Sequence, residues 1–320
     1  MVQLEITTDE AGQRLDKFLR KYLNQAPGSF IYKMLRKKNI KLNGKKADGS
    51  EKIQPGDILN LYLADATIAE FRQEKVVSGA NGHLDIIYED EQIAMINKPA
   101  GMLSQKADAD DISLVEEFQA YMERNGLTQE QKRAFTPGIC NRLDRNTSGL
   151  VVAGKTLQGL QKMSELLRER RVEKYYLCIV VGHVKEKQHI DGYLSKEERT
   201  NQVTIHREDG PGRTRIETAY EPLEYGDDFT LLKVHLITGK THQIRAHLSS
   251  QRHPIIGDTK YGDALVNQQM KKNFGLKYQL LHSYEIHFPQ MEEPFEQLSN
   301  RCVQAPLPTR FVRIREALMK

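Results

Sequence analysis

Cys140-Asn141-Arg142-Leu143-Asp144-Arg145-Asn146-Thr147-Ser148-Gly149 runs directly into Leu150-Val151-Val152-Ala153. Two guanidiniums, a carboxylate and a Thr-Ser-Gly turn therefore stand at the mouth of an apolar strand. That arrangement places charged groups at a sheet edge, where a pocket can form. Arg142 and Arg145 flank the one acid, Asp144. Taken alone, the run also fits a solvated turn in which Asp144 bonds its own backbone. It becomes a site only if distant stretches bring partners to Asp144.

Two stretches can do so. Lys174 to Gly182 reads as a strand, with Tyr176, Cys178 and Val180 on one face and Tyr175, Leu177, Ile179 and Val181 on the other. Leu231 to Leu248 reads as a strand that turns at Thr238-Gly239 into a helix capped near Thr241. That helix brings Arg245, which alone would be an exposed helix arginine. Gly239-Lys240-Thr241 ends like a phosphate-binding loop, but the motif needs glycine at position 234, which holds Val234. His242 and His247 suggest a metal pair, yet a five-residue step at about 100° per residue puts them on different helix faces.

Arg142-Leu143-Asp144-Arg145-x-Thr147-Ser148-Gly149 resembles the catalytic motif of the RluA class of RNA pseudouridine synthases. Lys174-x-Tyr176 with its apolar strand and Gly182 resembles the second motif of that family. Thr238-Gly239-Lys240-Thr241-His242-Gln243-Ile244-Arg245 resembles the third, with Lys240 where arginine is usual. Asn97-Lys98-Pro99-Ala100-Gly101, Pro254 to Asp258 with Tyr261-Gly262, and Leu280 to Ser283 also fit, so the likeness runs from about Leu84 to Phe288. The family's first motif usually begins with His and has Asp after the second Arg; here those places hold Asn141 and Asn146. The resemblance implies catalytic roles for Asp144, Tyr176 and Arg245, with Arg245 pairing with the Asp144 carboxylate. It implies that Arg142 helps open the RNA, and Arg145 is a further RNA-binding candidate. Tyr175 competes with Tyr176, and only the family spacing separates them. Lys98 reads as a turn residue before proline.

The N-terminus carries a second signal. Leu15, Phe18, Leu19, Tyr22 and Leu23 follow helical spacing, Pro27-Gly28 breaks it, and Ser29 is placed to cap a second helix with Phe30, Met34 and Leu35 inward. Ile40-x-Leu42 leads into Asn43-Gly44, a strong hairpin signal, and Pro55-Gly56-Asp57 precedes a strand over Ile58 to Leu63. These elements resemble the small RNA-binding module named after ribosomal small-subunit protein four. Lys33, Arg36, Lys37, Lys38, Lys41, Lys45 and Lys46 fall in one stretch without an acid. In a structured setting they point to RNA phosphates rather than to a merely solvated face.

Composition bounds the rest. The chain has 320 residues with 28% charged and 39% hydrophobic, ordinary for a globular protein large enough for two domains. Residues 1–64 hold twelve Lys and Arg against seven Asp and Glu, an excess of five, and the remainder is one negative. A basic module ahead of a near-neutral body suits a polyanionic partner. Cys140, Cys178 and Cys302 form no Cys-x-x-Cys pair, so their spacing suggests neither a disulfide framework nor a zinc site. No apolar run is long enough for a membrane span and no signal peptide is evident, so a cytoplasmic protein is expected.

The expected architecture is α+β: an RNA-binding module over 1–64, a linker over 65–82, and a catalytic domain over 83–320 with a mixed, mostly antiparallel sheet split by a central cleft. The expected activity is isomerisation of uridine to pseudouridine in RNA, with large-subunit ribosomal RNA favoured over transfer RNA, by a monomer needing no cofactor or metal. The main alternative is a non-catalytic RNA-binding protein on the same fold, motivated by Asn141 and Asn146. A nucleotide-binding enzyme using Gly239-Lys240-Thr241 is a weaker one.

Overall fold

A computed structural model of the chain describes residues 1–7, 10–72, 80–108, 110–127 and 135–319. In the N-terminal module, helices α1 (Leu15–Tyr22) and α2 (Gly28–Arg36) pack on an antiparallel sheet of β1 (Val2–Glu5), β2 (Ile40–Leu42), β3 (Lys45–Lys46) and β4 (Ile58–Leu61). The helical spacing puts Leu15, Phe18, Leu19 and Tyr22 into one core with Ile31, Met34 and Leu35. Asn43 and Gly44 take positive φ of 51° and 72°, as the two-residue hairpin requires. Ser29 is not the cap of α2. Pro27 holds that position, because its fixed φ suits a helix entry and its missing N–H costs nothing there.

The expected linker opens with structure. Residues Asp65–Phe71 form α3, which buries Ile68 in the module's core and sets Phe71 against Phe30 at 4.7 Å between ring centroids. Burying one such side chain is worth about 1.5–3 kcal/mol, enough to fold a short helix onto a preformed core. Residues 73–79 of the expected linker lie outside the described residues.

The larger domain begins with the hairpin β5 (Ile86–Glu89) and β6 (Ile93–Lys98), followed by α4 (Leu114–Arg124) with a Ser113–Glu116 capping box. Then come β7 (Gly138–Ile139), β8 (Ser148–Gly154), α5 (Leu157–Arg168) and β9 (Glu173–Val181). Four antiparallel strands, β10 (Gln188–Glu197), β11 (Gln202–His206), β12 (Thr214–Tyr225) and β13 (Phe229–Leu236), lead into α6 (Gln243–Ser250) and α7 (Ala264–Phe274). The chain closes with β14 (Leu281–His287), β15 (Cys302–Gln304) and α8 (Thr309–Leu318).

Among the described residues these strands form one 11-stranded sheet, ordered β11-β10-β12-β13-β9-β14-β8-β6-β5, with β15 beside β14 and β7 beside β8. The sheet is mixed and largely antiparallel; β14 and β8 make its parallel pair. Every residue of β8 is buried. Val151 and Ala153 pack with Phe118, while Leu150 and Val152 pack with Met163 and Leu166 of α5. A strand covered on both faces must be apolar throughout, which is why its sequence does not alternate.

The parallel seam explains the end of the Thr147-Ser148-Gly149 turn. Gly149 has φ +111°, and a Cβ there would lie 2.2 Å from the Ser283 carbonyl oxygen. Gly149→Ala is therefore expected to destabilise the protein by about 3 kcal/mol, read as a lower urea midpoint. Beside it, His282 is fully buried, with Nε2 3.4 Å from the Ala305 carbonyl and Nδ1 2.8 Å from the Ser148 hydroxyl. A carbonyl only accepts, so Nε2 carries the proton and the Ser148 hydroxyl donates to Nδ1. Burial pulls His282 and His247 down to about 4. Between pH 4 and the unfolded value near 6.5 the unfolded chain binds more protons, so stability rises with pH across that window. The urea midpoint is expected to fall steadily as pH drops from about 6.5 to about 4, and His282→Asn should flatten that slope.

Candidate active site

The cleft has a volume of about 830 Å³ and lies over the middle of the sheet. Its walls come from the loop before β8, from Lys174 and Tyr176 on β9, and from the turn and first residues of α6. The loop is held from several sides. Thr147 N–H donates to the Asp144 carbonyl at 3.0 Å, closing the turn. Ser104 Oγ donates to the Leu143 carbonyl at 2.7 Å and accepts from the Leu143 N–H at 3.0 Å. Asn141 Oδ1 accepts the Val152 N–H at 2.8 Å, so this side chain ties the loop to β8.

Lys98 has a part that sequence reasoning missed. It is fully buried, and its Nζ donates to the carbonyls of Pro99, Met102 and Arg145 at 2.9, 2.9 and 3.1 Å. Burial pulls the ammonium down to about 7 against the opposing field of Asp144. Three carbonyl acceptors match the three protons of the charged form, which thus locks the Pro99-to-Met102 turn to the Asp144 loop.

Asp144 and Arg245 meet across 101 residues of chain. Arg245 Nη1 donates to Asp144 Oδ2 at 2.9 Å, and its Nε and Nη2 donate to the two oxygens of Asp258 at 2.7 and 2.9 Å. Burial opposes the Arg245 charge, but Asp258 and then Asp144 outweigh it and hold the guanidinium above its usual range. Burial likewise opposes the Asp258 charge, and Arg245 outweighs it, lowering that pKa. The two acids differ in access: the Asp258 side chain is 0% exposed and that of Asp144 is 24% exposed. Asp258 is the anchor, and Asp144 presents its carboxylate to the cleft.

The helix carrying Arg245 is not capped by Thr241. It starts one turn position later, behind His242, which adopts a left-handed φ of 54°. The Gln243 side chain accepts from Thr238 Oγ1 and the Lys240 N–H at 2.8 and 3.1 Å, which fastens the start of the helix to the turn before it. His242 is not set as a metal ligand with His247. Its Nδ1 bonds the Tyr261 hydroxyl at 2.9 Å and its Nε2 lies 4.0 Å from Asp144. Burial lowers the His242 pKa, against the pull of Asp144.

Tyr176 is 5% exposed and lines the cleft. Burial, and secondarily the Asp144 charge, pushes its hydroxyl up to about 12, with the nearby Ser283 side chain opposing the shift. Tyr175 points to the other face, between His235 and His287 at 4.7 and 4.8 Å. Arg142 and Arg145 are exposed at the rim, bonded to Gln105 Oε1 at 3.3 Å and the Gly101 carbonyl at 3.2 Å. Lys33, Arg36, Lys37, Lys38 and Lys45 are exposed on the end of α2 and the β2–β3 hairpin, and Lys41 lies over the Tyr62 ring at 5.3 Å.

Comparison with known proteins decides the class of this protein. The sequence profile of RNA pseudouridylate synthases matches residues 92–250, and that of the S4 domain matches residues 13–59. The chain is 33% identical over 322 residues to ribosomal large subunit pseudouridine synthase C of Salmonella typhimurium, covering 93% of this chain and 94% of that one. The chain belongs to the RNA pseudouridylate synthase family. The Vibrio cholerae ribosomal large subunit pseudouridine synthase C is 29% identical over 311 residues, covering 95% and 92% of the two chains. The solved structure of human RNA pseudouridylate synthase domain containing 4 has the same fold, with a TM-score of 0.59 at 22% identity over 73% of this chain and 93% of that one. This pseudouridine synthase thus joins an S4 module to a synthase domain. The profile match spans Asp144, Tyr176 and Arg245 together with the turn that joins β13 to α6. No helix among the described residues is long and apolar enough to cross a membrane.

Proposed function

We propose that this synthase isomerises specific uridines of large-subunit ribosomal RNA, with Asp144 as its essential residue. The observation that carries the assignment of Asp144 is its geometry: a carboxylate open to the cleft, gripped from below by the buried Arg245–Asp258 pair. In the reaction the bond from uracil N1 to ribose C1′ breaks, the base turns, and C5 bonds C1′. The proton on C5 leaves, and N1 ends protonated. This requires a carboxylate beside the anomeric carbon, whether it bonds that carbon or takes a neighbouring proton.

Arg245 is a positioning residue that holds one oxygen of Asp144 and leaves the other for the substrate. Tyr176 stacks on the uracil. Its hydroxyl is a phenol at rest, so it is not a ready base for the C5 proton. Uridine must leave its stack to reach Asp144, at a cost of a few kcal/mol that is least in loops and bulges. Arg142 at the rim props the vacated space. The S4 module supplies phosphate contacts that offset the cost. Ribosomal RNA as substrate follows the names of the Salmonella and Vibrio relatives.

Purified protein incubated with large-subunit ribosomal RNA and transfer RNA transcripts tests the substrate. Pseudouridine is expected in the ribosomal transcript; formation only in transfer RNA refutes the choice. Changing Lys33, Arg36, Lys37 and Lys38 together to Ala is expected to raise KM about tenfold or more with kcat nearly unchanged. It should also make the binding less salt-dependent, because phosphate contacts are lost.

A further inference from the structure

The sheet face away from the cleft carries a polar cluster that the isomerisation does not use. Strand register assembles it. His287 on β14 stands opposite Cys302 on β15 and opposite Glu173 on β9. Glu285, two residues earlier and so on the same face, stands opposite Gln304 and Tyr175. One donor atom each from Glu285, His287 and Cys302 lies within 4.8 Å of the others.

The cluster is built rather than loose. Glu285 is buried; its Oε2 accepts from His287 Nε2 at 3.1 Å and from Lys233 Nζ at 2.7 Å, and its Oε1 accepts from Gln304 at 2.8 Å. The other ring nitrogen of His287, Nδ1, lies 4.0 Å from Glu173 Oε2. The Tyr175 ring packs against His287 at 4.8 Å and fixes its plane. Cys302 is exposed, so a fourth position faces solvent.

We propose that Glu285, His287 and Cys302 form a binding site for a thiophilic divalent cation of the zinc class. One oxygen, one imidazole nitrogen and one sulfur with an open fourth position is a donor set that zinc takes. Nε2 would face the ion while Nδ1–H points at Glu173, the carboxylate–histidine support common behind metal ligands. With the histidine neutral, Glu173 and Glu285 against Lys233 leave one negative charge for a cation to balance. Tetrahedral zinc holds its donors roughly 3.5 Å apart, so the cluster must close by about 1 Å, which rotation of the exposed Cys302 allows. On binding, the thiol gives its proton to solvent and the thiolate bonds the metal, while the imidazole exchanges its Nε2 proton for one on Nδ1 through solvent, so that Nε2 leaves Glu285 as a donor and turns its lone pair to the ion. Lys233 then shares Glu285 with the ion. The bound ion ties β15 to β14 and, through Glu173, to β9.

The test uses full-length protein freed of metal with a chelator. Zinc titration by calorimetry is expected to show one ion per chain, weakened at least tenfold by Cys302→Ser and by His287→Ala. Cobalt should give a thiolate charge-transfer band that Cys302→Ser removes. In the wild type, zinc should slow alkylation of Cys302 at least tenfold, read by mass spectrometry, which needs no variant to fold. Absence of saturable binding, a cobalt band that survives Cys302→Ser, or alkylation unchanged by zinc would each overturn the site. Pseudouridine formation does not enter any of these readouts, so the site stands or falls apart from the role of Asp144.

Discussion

Asp144→Asn is expected to bind RNA within a few-fold of wild type and to form pseudouridine at least about 10⁴-fold more slowly. Asparagine keeps the volume, and its carbonyl oxygen can still accept from Arg245 Nη1, which now lies 2.9 Å from Asp144. The loop stays in place through Lys98, Ser104 and Asn141, none of which bonds the Asp144 side chain. What disappears is the anionic oxygen. Removing a nucleophile or base that acts on the reacting carbon costs about 10⁴–10⁶ in turnover where a template reaction has been dissected. Single-turnover formation of pseudouridine beside filter binding measures the two quantities on one RNA.

Arg245→Met has the largest expected effect on stability. Its guanidinium satisfies both oxygens of Asp258, whose side chain is 0% exposed. Without it that carboxylate keeps the Lys260 and Tyr261 N–H groups, at 2.9 and 3.1 Å, but no positive charge. Stranding one member of a buried pair costs about 3–5 kcal/mol. Total stabilities run about 5–15 kcal/mol, so the loss is a large fraction of the whole. Asp144 loses its partner at the same time, and activity should fall with it. The double change Arg245→Met with Asp258→Leu separates the two effects. Removing both charges relieves the stranded carboxylate, so stability should return in part while turnover stays low. Urea unfolding and turnover of the same three proteins read both.

The periodicities that reached furthest into the fold were those set by local physics. The Asn43-Gly44 hairpin and the apolar run of β8 each follow from a few neighbouring residues. The caps at Ser29 and Thr241 failed because chain context decided them. Pro27 had already fixed the entry to α2, and His242 enters α6 in a left-handed conformation that no local pattern announces. The helix Asp65–Phe71 was hidden because its stability comes from Ile68 and Phe71 docking on the module rather than from its own period.

The site divides in the same way. Motif likeness marked Asp144, Tyr176 and Arg245, and the fold brings all three to one cleft. Asp258 could have been suspected only as one residue of a matching string; its bidentate grip on Arg245 is a contact across a helix and a loop. Lys98 looked like a turn residue because nothing in sequence reveals that three carbonyls converge on its ammonium. Asn141 looked like a lost histidine, yet its amide is spent on β8, where it steadies the loop.

The most direct test is to map pseudouridines in large-subunit ribosomal RNA by carbodiimide-based sequencing, in cells lacking the protein and in the same cells complemented with wild type or Asp144→Asn. The expected result is that defined sites vanish in the deletion, return with wild type, and stay absent with Asp144→Asn at equal protein level. Return of those sites with Asp144→Asn, or a deletion that loses none, would contradict the assignment of this carboxylate to the isomerisation of ribosomal uridines.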